Sequence, residues 1–159
     1  MKKLIPLLSV CLLSLAAVAA RSPSSPFFQM RLVLDAPSAD SEQMVLVQPG
    51  KNSAPKETLY VQKTVLLDQT ALKSAVTTRG ADGSPRIAIT FTDAGTKRFA
   101  EMTRQCVGKR LAVVIDGRLY SAPKIRMEIP GGKAEINGSF SEEEARSLAA
   151  KITEALQRR

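Results

Sequence analysis

Apolar and polar residues alternate with a period of two along much of this chain, which predicts a structure rich in strands. The strongest signal is a run of five apolar residues at 111–115, which is typical of an interior strand covered on both faces. Asp116 and Gly117 follow this run, and the pair favours the positive φ angles of a tight type I′ turn. We therefore expect the chain to turn there and to pair back over 118–122.

Further strands are predicted where short apolar runs lie between polar or Pro/Gly-rich loops. They cover 27–34, 44–47, 58–67, 86–91, 124–129 and 134–136. Pro123 precedes the alternation at 124–129, which indicates a bulge or a sheet edge. Lys124, Arg126 and Glu128 would line this edge, where they either contact a partner strand or protect the edge from aggregation.

Three helices are predicted from apolar residues spaced three and four apart. The first begins after Asp68, a good N-cap, and presents Leu72, Ala75 and Val76 on one face. We expect this face to pack against the sheet.

The other two helices carry clear boundary signals. The second begins at 92 or 93 and runs to about 107, and Gly108 is placed to end it in the left-handed conformation. The third begins at Ser141, which forms a capping box with Glu144. Together the elements predict an α+β fold, a mostly antiparallel sheet of about six strands with about three helices packed on one face.

The chain is organised as a leader, a tether and one domain. Residues 1–20 have a basic start, an apolar run and a small-x-small ending, which predict a secretory signal peptide. An uncleaved membrane anchor is the alternative for this segment. Residues 21–26 are predicted to be a disordered tether and 27–159 a single domain, located in the periplasm or cell envelope.

Charge and composition narrow the possible partners. The 159-residue chain has a formal charge of +8, and Lys2 and Lys3 lie in the predicted signal peptide, so the mature chain is +6. This excess favours anionic surfaces such as phospholipid headgroups, acidic polypeptides or nucleic acid. Aromatic residues make up only 4% and Trp is absent, so nucleic acid is not predicted as a partner, because binding it uses aromatic stacking.

The residues for catalysis are largely missing from the sequence. His is absent, which removes the commonest general base and metal ligand. Cys106 lies in the apolar stripe of the second helix and is predicted to be a buried thiol rather than a reactive one. Asp116 is the best isolated acid, but its turn explains it, and Ser121 near Lys124 is explained as a turn serine beside an exposed lysine. We predict no catalytic residue, no metal site and no cofactor.

A series of short motifs, taken in order, resembles the SecD family. The motifs are 91–99 (FTDAGTKRF), Thr103, 108–109 (GK), 111–117 (LAVVIDG), 121–123 (SAP), Ile136-x-Gly138-x-Phe140 and Glu144-Ala145-x-x-Leu148-Ala149. They resemble the head part of the large first extracytoplasmic domain of SecD, and the resemblance covers about 30–156. It implies structural roles for Gly95, Gly108, Asp116, Gly117, Pro123 and Gly138.

The resemblance also implies a function. SecD works with SecF as a membrane accessory of the Sec export channel, and its head engages the emerging polypeptide and swings with proton flow through the membrane helices. This sequence stops at Arg159, where SecD continues into membrane spans. We therefore expect the fold and a polypeptide-binding surface to be retained, without proton-driven movement.

Three hypotheses follow for the function. The first is a non-catalytic, exported binding module that contacts unfolded or extended polypeptide, or an envelope protein, by strand addition. The second is an envelope-associated structural protein whose basic face docks on anionic lipid. The third is a hydrolase with a carboxylate site, which requires Asp116 and the acids at 142–144 to face each other.

Overall fold

Two antiparallel sheets and two α-helices form the structure, a computed structural model that describes residues 26–47 and 57–158. The strands are β1 (Phe28–Leu34), β2 (Ser41–Val45), β3 (Thr58–Gln62), β4 (Leu67–Asp68), β5 (Leu72–Arg79), β6 (Pro85–Phe91), β7 (Arg110–Ile115), β8 (Arg118–Ser121) and β9 (Lys133–Ile136). The helices are α1 (Asp93–Gln105) and α2 (Glu142–Gln157), and a short 3-10 helix covers Gln69–Ala71. The predicted signal peptide lies outside the described residues, as does the predicted tether except for Pro26.

The first sheet, sheet A, curls until its two edge strands meet. Its strand order is β2-β3-β1-β7-β8, and β4 also pairs with β1. Leu46, just after β2, forms a parallel bridge with Leu119 of β8, and the Val47 N–H donates to the Leu119 carbonyl at 2.8 Å. The curl encloses a small apolar core. That core consists of Leu59, Val61, Ala112, Val114 and Leu119.

The strand β7 lies between β1 and β8 and is buried on both faces, as the five-residue apolar run predicts. Ala112 and Val114 point into the small core, and the alternate side chains of β7 point into the large core on the other face of sheet A. The turn after β7 is also confirmed, because Asp116 has φ 50° and Gly117 has φ 71°.

The second sheet, sheet B, has the order β5-β6-β9 and covers the large core together with both helices. The Phe91 ring of β6 stacks on the Phe99 ring of α1, with centroids 4.5 Å apart. Ile152 of α2 is fully buried, and Leu148 is 7% exposed. Since burying a large apolar side chain stabilises the fold by roughly 1.5–3 kcal/mol, these positions anchor the helices to the sheet.

The helix predicted after Asp68 is wrong. The Asp68 carboxylate does cap a helix by accepting from the Thr70 N–H at 2.8 Å, but that helix is the single 3-10 turn, and β5 follows it. A register shift between Leu72 and Ser74 places an extra residue in the strand, so that Leu72 and Ala75 are both buried. A bulge therefore produces the spacing of three that also characterises a helix.

The helix count is therefore two within the described residues, not three, and the strands there exceed the six predicted. The other two helices form where the sequence places them. Thr92 caps α1 by accepting from the Gly95 N–H at 3.0 Å, and Gly108 follows the helix with φ 88°. Ser141 and Glu144 form the predicted capping box at the start of α2.

Gly95 marks a close approach between α1 and the 3-10 helix. A Cβ built on Gly95 would lie 2.1 Å from the backbone oxygen of Ala71. The same oxygen accepts a hydrogen bond from the Thr92 N–H at 2.9 Å, so it is held in place. The position therefore requires glycine for packing.

Replacing Gly95 with Ala is expected to lower the free energy of unfolding by about 1–3 kcal/mol, because the new methyl group collides with fixed backbone. In an unobstructed helix the same change would instead stabilise by about 1 kcal/mol. Gly131→Ala is the matched control, since no atom of the described residues lies within 4 Å of its built Cβ and we expect a change below about 0.5 kcal/mol. Urea unfolding measures both, and a Gly95→Ala protein as stable as wild type would contradict the described packing.

An ion pair joins the start of β3 to the start of β7. Arg110 Nη1 donates to Glu57 Oε1 at 2.6 Å, and Arg110 Nε donates to the Ala122 carbonyl at 2.9 Å. The hydrogen bond from Arg110, assisted by its charge, holds the pKa of the Glu57 carboxyl below its ordinary value against the opposing effect of desolvation. A lowered pKa stabilises the folded state above the unfolded pKa, and this contribution disappears as the pH falls through the folded pKa.

Glu57→Gln is expected to lower the free energy of unfolding at pH 7 by less than about 1 kcal/mol, because both side chains are over a third exposed. The difference from wild type should shrink as the pH falls from about 4.5 towards 2, where Glu57 becomes protonated. Urea unfolding across this range measures it. Asp35→Asn, at an exposed carboxylate without a recorded ion pair in the described part of the chain, is the control, and an equal pH dependence of both variants would contradict the assignment.

Candidate functional site

The segment 124–129, predicted as an edge strand, is not a strand. Its start pairs back to the residues before β7, since the Gly108 N–H donates to the Ile125 carbonyl and the Ile125 N–H to the Lys109 carbonyl, both at 2.8 Å. Beyond Ile125 the backbone leaves the sheet, and the Ile129 N–H donates to Thr103 Oγ1 of α1 at 3.0 Å. Only Ile125 of the apolar residues is buried, so the alternation does not correspond to a sheet face.

The charged residues of this segment are exposed but do not line a sheet edge. Lys124 forms an isolated bridge with Arg110, and Arg126 and Glu128 follow it outside any strand. The apolar residues between and after them are also exposed, with Met127 at 68% and Ile129 at 37%. Lys124, Arg126 and Glu128 therefore do not form the strand edge that the alternation predicts.

Thr103 fixes this segment to α1. It is fully buried, its hydroxyl lies 2.9 Å from the Phe99 carbonyl, to which it donates, and the same oxygen accepts from Ile129. Val has nearly the same shape as Thr but no acceptor, so a substitution would leave the Ile129 N–H without its partner.

Thr103→Val is expected to lower the free energy of unfolding by about 1–2 kcal/mol and to accelerate exchange of the Ile129 amide proton. The control is Thr64→Val, because the Thr64 hydroxyl bonds to Asp40 on the exposed surface, where water replaces the lost bond. Hydrogen exchange followed by NMR measures the local effect. Unchanged exchange at Ile129 would show that this contact does not hold the segment.

A buried guanidinium lies inside the curl of sheet A. Arg31 of β1 is 8% exposed, its Nε donates to Gln29 Oε1 at 2.6 Å, and its Nη1 pairs with the half-exposed carboxylate of Glu42 on β2. Arg31, Glu42 and Arg118 line a cavity of about 470 Å³ at this end of the small core. The sequence did not indicate this burial, because the alternation of β1 assigns Gln29 and Arg31 to a solvent face.

The two edges of sheet B differ in length and protection. In the β5–β6 hairpin the Gly80 N–H donates to the Ser84 carbonyl at 2.9 Å. In an antiparallel pair only every second residue bonds to the partner strand, so the main-chain groups of Ala75, Thr77 and Arg79 point away from β6. The Phe91 N–H donates to the Gly132 carbonyl, and by the same alternation the main-chain groups of Lys133 and Glu135 on β9 point away from β6. We call the outward main-chain groups of 74–79 the β5 edge.

A groove runs between the β5 edge and the first turns of α2. Its volume is about 240 Å³, and we call it the β5–α2 groove; it is lined by Thr77, Thr78, Arg79, Pro85, Glu142 and Ala145. Arg79 Nη2 meets Glu142 Oε2 at 2.7 Å, which joins the end of β5 to the start of α2. Further along, Thr153 Oγ1 of α2 donates to the Ala75 carbonyl at 3.2 Å, so the helix reaches the edge itself.

The acids considered for catalysis do not converge. Asp116 occupies the β7–β8 turn, Glu142 pairs with Arg79 beside β5, and Glu144 serves the capping box, so the structure gives each of them a separate structural setting. Within 26–47 and 57–158 no group of three or more His, Cys, Asp or Glu residues is arranged to hold a metal ion. Cys106 is buried at the end of α1, as predicted. Across the same residues, none of the helices combines the length and apolarity that crossing a bilayer requires.

Solved structures define the class of this fold. The chain aligns with a crystal structure of SecDF in the super-membrane-facing form at a TM-score of 0.62 and 31% identity, over 79% of this chain and 18% of that one. A second structure, of a membrane component SecDF that enhances protein export, aligns at a TM-score of 0.57 and 30% identity, over 82% of this chain and 61% of that one. The class is therefore the α+β head found in SecDF proteins.

Sequence comparison gives the family directly. The model of the SecDF P1 head subdomain matches residues 43–156, and the chain belongs to this family. It is 55% identical over 67 residues to the protein translocase subunit SecDF of Thermus thermophilus, covering 42% of this chain and 9% of that protein. It is 38% identical over 115 residues to the SecD subunit of Magnetococcus marinus, covering 70% of this chain and 21% of that protein. The chain thus spans a small part of the length of these relatives.

Proposed function

We propose that the chain is a non-catalytic module of the periplasm or cell envelope that binds extended polypeptide in the course of protein export. Membership of the SecDF P1 head family supports the link to export, because relatives are named protein translocase subunits and one is described as enhancing protein export. The six structural residues of the motifs, Gly95, Gly108, Asp116, Gly117, Pro123 and Gly138, would serve to build this head.

The observation that supports the binding role is that sheet B has open edges. Sheet A closes on itself through Leu46 and Leu119, whereas among the described residues β5 and β9 each have a neighbouring strand on one side only. An open edge offers a row of main-chain donors and acceptors, and an extended polypeptide satisfies these groups independently of its sequence. Such recognition suits a protein that meets many unrelated unfolded chains.

Fluorescence anisotropy tests this function with the purified full-length chain. The probe is labelled α-lactalbumin that has been reduced and carboxymethylated so that it stays unfolded, and native α-lactalbumin is the matched folded control. We expect the unfolded probe to bind in the micromolar range, typical of weak transient contacts, and the folded one at least tenfold more weakly.

Salt separates main-chain recognition from simple attraction between a basic protein and an acidic probe. Main-chain hydrogen bonding should leave most of the affinity at 0.5 M salt, where the Debye length is only about 4 Å. Equal affinity for folded and unfolded probes, or complete loss at 0.5 M salt, would contradict the proposed function.

A further inference from the structure

The β5 edge is the longest stretch of unpaired sheet backbone in the described chain. After the bulge at Lys73, β5 runs from 74 to 79 in regular register with β6. Its outward groups belong to Ala75, Thr77 and Arg79, and of their carbonyls the structure records a partner only for Ala75 among the described residues. Val76 and Thr77 have short, exposed side chains that leave the backbone accessible, whereas Ala75 is only 4% exposed.

The other strand edges are less suited to accept a strand. The edges of sheet A meet through Leu46 and Leu119. β9 has only four residues, and its two outward positions carry the exposed charged side chains of Lys133 and Glu135, which is a common way of protecting an edge. β5 has eight residues, and the exposed Val76 lies at the middle of its regular part.

We propose that a single extended polypeptide strand binds antiparallel to β5, in the β5–α2 groove, as a fourth strand of sheet B. This inference rests on the proposed function and names its site and its mode of recognition. Thr77 lies at the centre of the site, where its N–H and carbonyl bond to the incoming backbone. One face of the new strand lies beside the exposed Glu142 at the start of α2, and the other face stays in solvent, as on the outer side of sheet B.

The helix α2 limits the new strand to the carboxyl-terminal half of the β5 edge. Thr153 Oγ1 of α2 donates to the Ala75 carbonyl at 3.2 Å, and Ala75 is only 4% exposed. The helix therefore covers the outward groups of Ala75. The incoming strand pairs with the outward groups of Thr77 and Arg79, which are exposed.

The overhang of α2 favours a polypeptide strand over a second copy of this chain. Since Thr153 reaches the outward carbonyl of Ala75, the helix extends over the edge of the sheet. A two-fold dimer through β5 would bring two overhanging helices to the same seam, where they would collide. A lone strand has no such helix.

Charge further defines the strand that binds. Lys73 is exposed at one end of the β5 edge, and Arg79 and Arg146 share the single carboxylate of Glu142 at the other end. The two arginines leave an excess of positive charge at the Arg79 end, so segments with neutral or acidic residues should bind better than basic ones.

Proline substitution tests the site with a matched control. Thr77→Pro removes an outward N–H and keeps all bonds between β5 and β6, and Lys133→Pro makes the same change on the β9 edge. With the reduced, carboxymethylated α-lactalbumin probe, Thr77→Pro should weaken binding at least tenfold and Lys133→Pro less than twofold. Circular dichroism and thermal melting establish that both variants are folded.

A second measurement does not depend on any substitution. Hydrogen exchange of the wild-type chain is followed by NMR with and without saturating unlabelled probe. Exchange of the Thr77 amide proton should slow at least tenfold, whereas that of Val76, which faces β6, should change little.

The outcomes separate this proposal from the function on which it rests. Wild-type binding that survives Thr77→Pro, or that is lost equally in Lys133→Pro, overturns the β5 site and leaves the proposed function in place. Unchanged exchange at Thr77 with the probe bound does the same. A mass of two chains in sedimentation, abolished by Thr77→Pro, assigns the edge to a second copy and also overturns the proposal. No binding by the wild-type chain is the failure of the proposed function itself.

Discussion

The structure depends on one strand that is buried on both faces. β7 separates the small core inside the curl of sheet A from the large core shared with sheet B and the helices. A polar side chain on either face would be taken out of water without a partner, which costs free energy in the core that it enters. This is why 111–115 reads as an unbroken apolar run. The turn at Asp116 and Gly117 then sends the chain back as β8, which closes the curl.

Sequence reasoning succeeded where one local signal had one structural meaning. The apolar run of β7, the Asp-Gly turn, the Thr92 cap of α1 and the capping box of α2 each depend on neighbouring residues, and the structure confirms them. It failed at 72–76 because a bulge gives apolar residues the spacing of a helix turn. A bulge depends on the partner strand, so the strand's own sequence does not reveal it.

The candidate site was harder to predict because it depends on which strands become neighbours. Lys124, Arg126 and Glu128 alternate with apolar residues as in a strand. The backbone is instead held at Ile129, whose N–H donates to the Thr103 hydroxyl of α1, and the alternation within 124–129 does not reveal this contact. Arg31 is buried inside the curl of sheet A, where Glu42 of another strand forms an ion pair with it. The open edge of β5 likewise follows from the order of sheet B, which alternation within β5 does not encode.

The topology of sheet A also sets the order in which the protein can fold. β1 is the first strand of the described chain, yet its longest pairing is with β7, in which Phe28 lies opposite Ile115. When the chain emerges from its amino end, β1 therefore has no β7 to pair with until most of the domain has appeared, and its apolar face stays uncovered until then. Such long-range pairing slows folding and leaves an aggregation-prone strand uncovered in the meantime. The hairpin of β5 and β6 is local, so it can form earlier and offer a surface on which the late strands assemble.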